Sequence, residues 1–250
     1  MLYLWLEGSS GSVLKHITVM SEKEPLESGK ANPLRWKNFQ HLSKHELQLI
    51  DDNRYEASFR AGEVILKQGS PSSSVLFLIS GLAKIYTEAD GHKNFLIEIA
   101  QPGALVMGPG AYINSRNTFS VASLVPSRVC FIDFNVFRHL AKTNGAFAES
   151  LLEDFCLKAL TLQTKMVNLS RKKMPGRLAE ALLYLADEVF RSDEYELMLT
   201  RNELGEMTNM AKESVVRILK EMEESGVIYS RAPLIRILDR QKLILISEKG

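Results

Sequence analysis

Apolar residues near the carboxyl end of the chain recur at helical spacing and predict a helix, a tight turn and a second helix between residues 199 and 228. One face of the second helix is an apolar stripe, formed by Val215, Ile218, Leu219 and Met222. Polar and charged residues occupy the opposite face, namely Lys212, Glu213, Ser214, Arg217 and Lys220. A helix with two such faces fits either an ordinary helical hairpin or a helix that reads base edges in the major groove of DNA.

Local signals mark both ends of the first helix in this pair. Thr200 followed by Glu203 predicts a capping box, in which the hydroxyl and the carboxylate each accept a backbone N–H at the helix start. The T-N-M run at 208–210 interrupts the helical pattern, and asparagine tolerates the left-handed conformation of a sharp turn. Two short, β-branched runs follow at residues 227–229 and 234–237, and they predict a two-stranded hairpin.

A different pattern extends from Trp36 to Leu140, where short β-type runs alternate with glycine turns. The predicted strands are residues 63–66, 75–79, 82–86, 94–99, 104–107, 119–122 and 128–132. The glycines between them are Gly62, Gly69, Gly81, Gly91 and Gly103. This roughly even spacing predicts an antiparallel barrel or sandwich.

A heptad repeat between these two regions predicts one long helix with a seam for a partner helix. The seam consists of Ala148, Leu152, Phe155, Ala159, Leu162, Met166 and Leu169. The alternative is a helix that packs only on its own barrel, and a second stripe of Leu151, Leu160 and Val167 is expected to make that contact. The two stripes together indicate a helix between its own barrel and a second copy of the chain.

Composition fits a protein of two domains and gives no overall charge preference. The 250 residues include 31 basic and 30 acidic side chains, and from Arg171 onward we count 14 of each. Nucleic-acid binding by a neutral domain requires its basic residues to be segregated onto one face. The apolar start MLYLWLEG is too short to cross a membrane and has no basic segment, so we expect a cytoplasmic protein without membrane contact.

The capping box, the K-E-S-x-x-R string and the hairpin closely resemble the DNA-binding domain of the Crp–Fnr family of bacterial transcription regulators, from about Met174 to Ile237. The strings R-A-G-E-V-I-L-K-Q-G, F-L-I-S-G-L-A-K-I-Y and Q-P-G-A-L-V-M-G resemble the β-roll sensor domain of the same family. The resemblance implies an α+β fold with an antiparallel, jelly-roll-like β-roll, a long dimerisation helix and a winged helix-turn-helix. The expected parts are a loose extension (1–33), the β-roll (34–143), the dimerisation helix (144–170) and the DNA-binding domain (171–250).

The resemblance also implies a non-enzymatic regulator that binds double-stranded DNA as a homodimer on an inverted repeat, with RNA polymerase as a further partner. The expected DNA contacts are Thr200, Arg201, Lys212, Glu213, Ser214, Arg217 and Lys220. Of these, Glu213 and Arg217 match the base-reading residues of the family. Ala211 departs from the family, which often has a serine cap there. The expected dimer contacts are Leu152, Phe155, Ala159, Leu162, Met166 and Leu169.

The effector pocket departs from the cyclic-nucleotide-binding members of the family. Those members hold the ribose with a Glu after a Gly and the phosphate with an Arg-Ser pair, whereas this chain has Gly108-Pro109 and Asn117-Thr118. We therefore expect cyclic AMP not to be the effector, and either another small molecule or none to bind here. The expected pocket residues are Gly108, Arg116, Asn117, Thr118, Leu162 and Gln163. Arg116 could replace the missing arginine, which leaves a cyclic-nucleotide-responsive regulator as the alternative.

Two cofactor classes are not expected. Iron–sulphur members of the family carry four cysteine ligands, whereas this chain has only Cys130 and Cys156. A cupin-like metal-dependent barrel enzyme shares the glycine spacing but needs clustered His and carboxylate ligands. Of the five histidines only His92 lies among the predicted strands, so we expect no metal site.

Overall fold

Two antiparallel sheets form a β-roll in the first part of the chain, in a computed structural model that describes residues 32–88 and 94–250. Its strands are β1 (Arg54–Phe59), β2 (Val64–Leu66), β3 (Ser74–Ser80), β4 (Ala83–Glu88), β5 (Asn94–Ala100), β6 (Leu105–Val106), β7 (Ser120–Ser123) and β8 (Ser127–Asp133). One sheet has the order β1-β8-β3-β6 and the other the order β2-β7-β4-β5. The expected loose extension lies outside the described residues, apart from Asn32 and Pro33. His92, between β4 and β5, also lies outside them.

Apolar side chains fill the space between the two sheets, and Leu76, Val121 and Val129 are buried there. The helices of this region are α1 (Lys44–Asp52), α2 (Gly110–Ile113), α3 (Phe134–Thr143) and α4 (Gly145–Arg171). A second cluster, on the other side of β3 and β8, includes Phe137 of α3 and Phe147 of α4. The start of the long helix is therefore anchored in a core of its own.

The C-terminal domain, residues 174–250, combines helices with a small sheet. Its elements are α5 (Met174–Tyr184), a π-helical segment (Leu185–Phe190), β9 (Glu194–Glu196), α6 (Arg201–Thr208), α7 (Lys212–Glu224), β10 (Ile228–Arg231), β11 (Leu234–Ile237) and α8 (Arg240–Lys249). The sheet has the order β10-β11-β9. Leu178, Leu204 and Ile218 lie at the centre of its core and are fully buried. No helix among the described residues is long and apolar enough to cross a membrane.

The predicted α+β architecture is confirmed, and the strands and helices predicted above all form within a few residues of their predicted bounds. Two strands were not predicted. β1 has the sequence RYEASF, in which charged and apolar residues mix, and it pairs only with β8 at the edge of its sheet. β9 has only three residues, which is too short for a periodic pattern.

The contact of α4 with its own β-roll differs from the expectation. Leu151 is buried, but Leu160 and Val167 are 50% and 44% exposed, so the prediction that they pack on the barrel is wrong. Two lysines make this contact instead. Lys158 donates to the carbonyl of Leu105 at 3.3 Å, and Lys165 donates to the carbonyls of Leu96 and Ile97 at 2.9 and 2.7 Å. Past its first turns, α4 therefore makes hydrogen bonds to the β-roll through these two lysines.

Candidate nucleic-acid interface

The second helix of the predicted pair, α7, has the two faces that its sequence predicts. Its apolar stripe is buried, with Val215, Ile218, Leu219 and Met222 each at most 3% exposed. Its outward face is open to solvent, with Lys212, Glu213, Arg217 and Lys220 exposed and Ser214 partly buried. The packing of α7 on the domain core therefore leaves one complete face free to enter a groove.

Three features hold the turn between α6 and α7. Asn209 adopts the left-handed conformation, with φ of 52°, and this confirms the role that its sequence predicts. The Met210 N–H donates to the Gly205 carbonyl at 2.9 Å, and a Cβ on Gly205 would lie 2.6 Å from the Met210 carbonyl oxygen. Arg177 of α5 donates to the carbonyls of Thr208 and Asn209 at 3.1 and 3.3 Å. The roles of Gly205 and Arg177 were not predicted, because they depend on contacts between separate helices.

The start of α6 carries the predicted capping box. The Thr200 hydroxyl accepts the Glu203 N–H at 3.2 Å, and the Glu203 carboxylate accepts the Thr200 N–H at 2.8 Å. Thr200 is exposed, but its hydroxyl donates to Glu203 Oε2 at 2.9 Å, so donation to a phosphate requires that bond to be exchanged. Arg201 instead lies partly buried and donates to the Ser230 hydroxyl of β10 at 3.3 Å, and burial lowers its pKa. Arg201, which the sequence predicts to contact DNA, thus links the start of α6 to the hairpin.

The cations of α7 pair with carboxylates one turn further along the helix. Arg217 lies 2.6 Å from Glu221, and Lys220 lies 3.6 Å from Glu224. Exposed pairs with this spacing contribute about 0.3–0.5 kcal/mol, whereas a bidentate contact between arginine and a base discriminates by about 1–3 kcal/mol. Arg217 can therefore exchange Glu221 for a base edge with a net gain.

The residues of the expected effector pocket differ in their contacts and in their exposure. Arg116 is exposed, and its guanidinium donates to the Gly69 carbonyl at 2.6 Å. Asn117 is buried, and its amide donates to the Ser70 hydroxyl at 3.0 Å and to the Pro71 carbonyl at 3.4 Å. Both side chains are therefore engaged with the turn that follows β2.

The other expected pocket residues divide into two groups. Gly108 and Thr118 lie close together, since a Cβ on Gly108 would be 2.9 Å from the Thr118 hydroxyl. Leu162 and Gln163 are exposed on α4. Asn117 also lines a cavity of about 320 Å³ at the open edge between β1 and β2. In residues 32–88 and 94–250, no three His, Cys, Asp or Glu side chains lie close enough to share a metal ion.

Two family models match the chain. Residues 56–144 match a cyclic nucleotide-binding domain, and residues 176–246 match a Crp-like helix-turn-helix domain. These ranges include the β-roll strands and the helix pair described above.

Relatives match over most of both lengths. Electron transport regulator A of Shewanella oneidensis is 27% identical over 82% of this chain and 84% of its own length. The cAMP-activated global transcriptional regulator CRP of Salmonella typhimurium is 22% identical over 68% of this chain and 83% of its own. A transcriptional regulator of the crp/fnr family from Eubacterium rectale superposes with a TM-score of 0.73 at 16% identity, over 87% of this chain and 98% of that structure. The last likeness supports the fold alone.

The uncapped start of α7 generates a stability prediction. Ala211 is its N-cap residue and makes no side-chain capping bond. Ala211→Ser is expected to raise the free energy of unfolding by about 1 kcal/mol, because the hydroxyl accepts an otherwise unpaired backbone N–H. Urea denaturation measures the change, with Ala61→Ser in an exposed turn as the control. An equal gain in both variants, or none at Ala211, would contradict the capping argument.

Proposed function

Because the chain belongs to the Crp–Fnr family of transcription regulators, we propose that it binds an inverted-repeat operator as a homodimer, with α7 in the major groove of each half-site. The observation that carries this proposal is the solvent-exposed outward face of α7. Glu213 and Arg217 lie four residues apart on that face, so both can reach base edges within one turn of groove. RNA polymerase is the proposed further partner.

A homodimer is supported by the exposed seam of α4. Leu152, Leu162 and Met166 are 63%, 48% and 67% exposed in the single chain, whereas apolar side chains of this size are normally buried. Because they recur at heptad spacing along one face, a second copy of α4 can cover them by knobs-into-holes packing. Two copies would then carry two α7 helices, which an inverted repeat requires.

A regulator that does not use cyclic AMP is supported by the residues at the expected phosphate position. A cyclic phosphate needs a charged donor, and Asn117 is neutral and already bonded to Ser70 and Pro71. The alternative, a cyclic-nucleotide-responsive regulator, requires Arg116 to leave the Gly69 carbonyl and turn inward. The pocket proposed for another effector lies around Gly108, Arg116, Asn117 and Thr118, with Leu162 and Gln163 of α4 as its further residues.

The recognition assignment predicts the effect of removing one guanidinium. Arg217→Ala is expected to cost about 1–3 kcal/mol in operator binding and to relax the preference at one guanine. Selection of binding sites from random DNA, followed by affinity measurement on the selected site, tests both effects. Arg60→Ala, an exposed arginine of the β-roll, is the control. Unchanged affinity and specificity in Arg217→Ala would refute the assignment.

The dimer assignment predicts the effect of a charge in the seam. Leu162→Glu would bury a carboxylate without a partner on association, which costs several kcal/mol. Analytical ultracentrifugation is expected to show monomers, with much weaker operator binding. Leu160→Glu places the same charge on the other exposed stripe of α4 and is the control. A stable Leu162→Glu dimer of normal affinity would exclude this seam.

The effector assignment predicts no response to cyclic nucleotides. Loss of the charged donor removes about 1.5–3 kcal/mol from the binding of a cyclic phosphate. Calorimetric titration with cyclic AMP and cyclic GMP is expected to show no micromolar binding. Micromolar binding that also tightens operator affinity would support the Arg116 alternative, and its loss in Arg116→Ala would identify Arg116 as the residue that binds the phosphate.

A further inference from the structure

A partly buried ion pair joins the β-roll to the helix-turn-helix. Lys84 of β4 lies 2.6 Å from Glu203 of α6, although 119 residues separate them in the chain. The two side chains are only 17% and 16% exposed. Lys84 also lies over the ring of Tyr86, with its ammonium 5.0 Å from the ring centre. This contact is therefore a fixed part of the interface and differs from the exposed pairs elsewhere on the surface.

The carboxylate that Lys84 binds also shapes the start of the helix-turn-helix. Glu203 accepts the backbone N–H of Thr200 at 2.8 Å and its hydroxyl at 2.9 Å. Burial raises the pKa of Glu203, but the hydrogen bonds from Lys84 and from the Thr200 backbone outweigh burial, so the pKa lies below its ordinary value. A side chain of the β-roll thus acts on the first turn of α6 through one carboxylate.

A second carboxylate makes the interface dependent on this lysine. Glu206 lies one turn after Glu203 on α6, and its Oε2 is buried without a hydrogen bond of good geometry among the described residues. Its other oxygen accepts from Asn202 at 3.0 Å, and burial raises the pKa of Glu206, although the nearby Asn94 side chain acts to lower that pKa. Without Lys84, two carboxylates would face the sheet and Glu203 would lose its counter-charge. Removal of one partner would leave the other charge partly buried and without its counter-charge, which is destabilising.

The surroundings of the pair are apolar and shared by both parts of the chain. Leu96 and Ile99 of β5 belong to the same buried cluster as Leu204 of α6. The Ile99 N–H donates to the Tyr184 hydroxyl at 3.4 Å across this contact. The apolar cluster supplies contact area, and the ion pair is the directional contact that can fix where α6 lies on the sheet.

We infer that Lys84 is a positioning residue for DNA recognition: it acts through Glu203 to hold the helix-turn-helix against the β-roll in one orientation. The functional consequence rests on the operator binding proposed above. The structural consequence does not, because it concerns contact between two parts of the same chain.

The test is a double-mutant cycle in the full-length protein. Glutamine at position 203 can still complete a capping box, so Glu203→Gln removes the charge and keeps the cap. Lys84→Met keeps the length of the side chain and removes the ammonium. Lys84→Arg is the conservative variant, and Lys67→Met is the matched control, because Lys67 forms an exposed pair with Glu88 at 2.5 Å in the same β-roll.

The first readout is hydrogen exchange at the Ile99 amide, which reports directly on contact between the two parts. Lys84→Met and Glu203→Gln are each expected to speed exchange at least about tenfold, since each variant leaves the other member of the pair partly buried without its partner and so destabilises the closed state. Lys84→Arg and Lys67→Met are expected to stay close to the unaltered protein. In the Glu203→Gln background, Lys84→Met should add little.

The second readout is affinity for the selected operator, where Lys84→Met is expected to lose about tenfold or more and Lys84→Arg to restore most of it. Unchanged exchange and affinity in Lys84→Met would overturn the inference. It would also be overturned if Lys84→Met had the same effect in the Glu203→Gln background as in the unaltered protein. If Lys84→Met does not fold, Glu203→Gln and Lys84→Arg decide by the exchange readout. If the unaltered protein selects no DNA, the proposed function fails, and the exchange measurements still decide this inference.

Discussion

The arrangement of the chain depends on the free edge of one strand. β5 ends its sheet, and an edge strand has backbone groups that no neighbouring strand can pair. Lys165 of α4 donates hydrogen bonds to the carbonyls of Leu96 and Ile97, and the Ile99 amide donates to the hydroxyl of Tyr184 in α5. The long helix and the first helix of the C-terminal domain are therefore attached to the same strand. This attachment pairs two carbonyls and one amide of the edge strand and hinders pairing with a foreign strand at those positions.

Burial shifts the pKa of both side chains at these attachment points. It lowers the pKa of Lys165 to about 8 and raises the pKa of the Tyr184 hydroxyl to about 12, so burial disfavours the charged form of each side chain. A lysine that reaches two carbonyls can hold a helix at a distance, which a leucine cannot do. Leu160 and Val167 of the same helix are exposed.

Local patterns predicted the elements better than their contacts. The capping box at Thr200, the left-handed Asn209 and the buried stripe of α7 each depend on residues within a few positions of one another, and each is confirmed. The pairing of Lys84 with Glu203 depends on how two separately folded parts meet, and no periodicity contains that information. The orientation of Asn117 likewise depends on a turn 47 residues earlier in the chain.

The ion pairs along α7 have a consequence for how the protein searches DNA. The segment Lys212–Glu224 carries three basic and four acidic side chains, and two of the basic side chains form ion pairs within the helix. A surface of this kind displaces few of the cations condensed on a duplex, and cation release drives most non-specific binding. We therefore expect a shallow dependence of operator affinity on salt. Little of the protein would then be held on bulk genomic DNA, and occupancy of the operator would depend mainly on contacts with its bases.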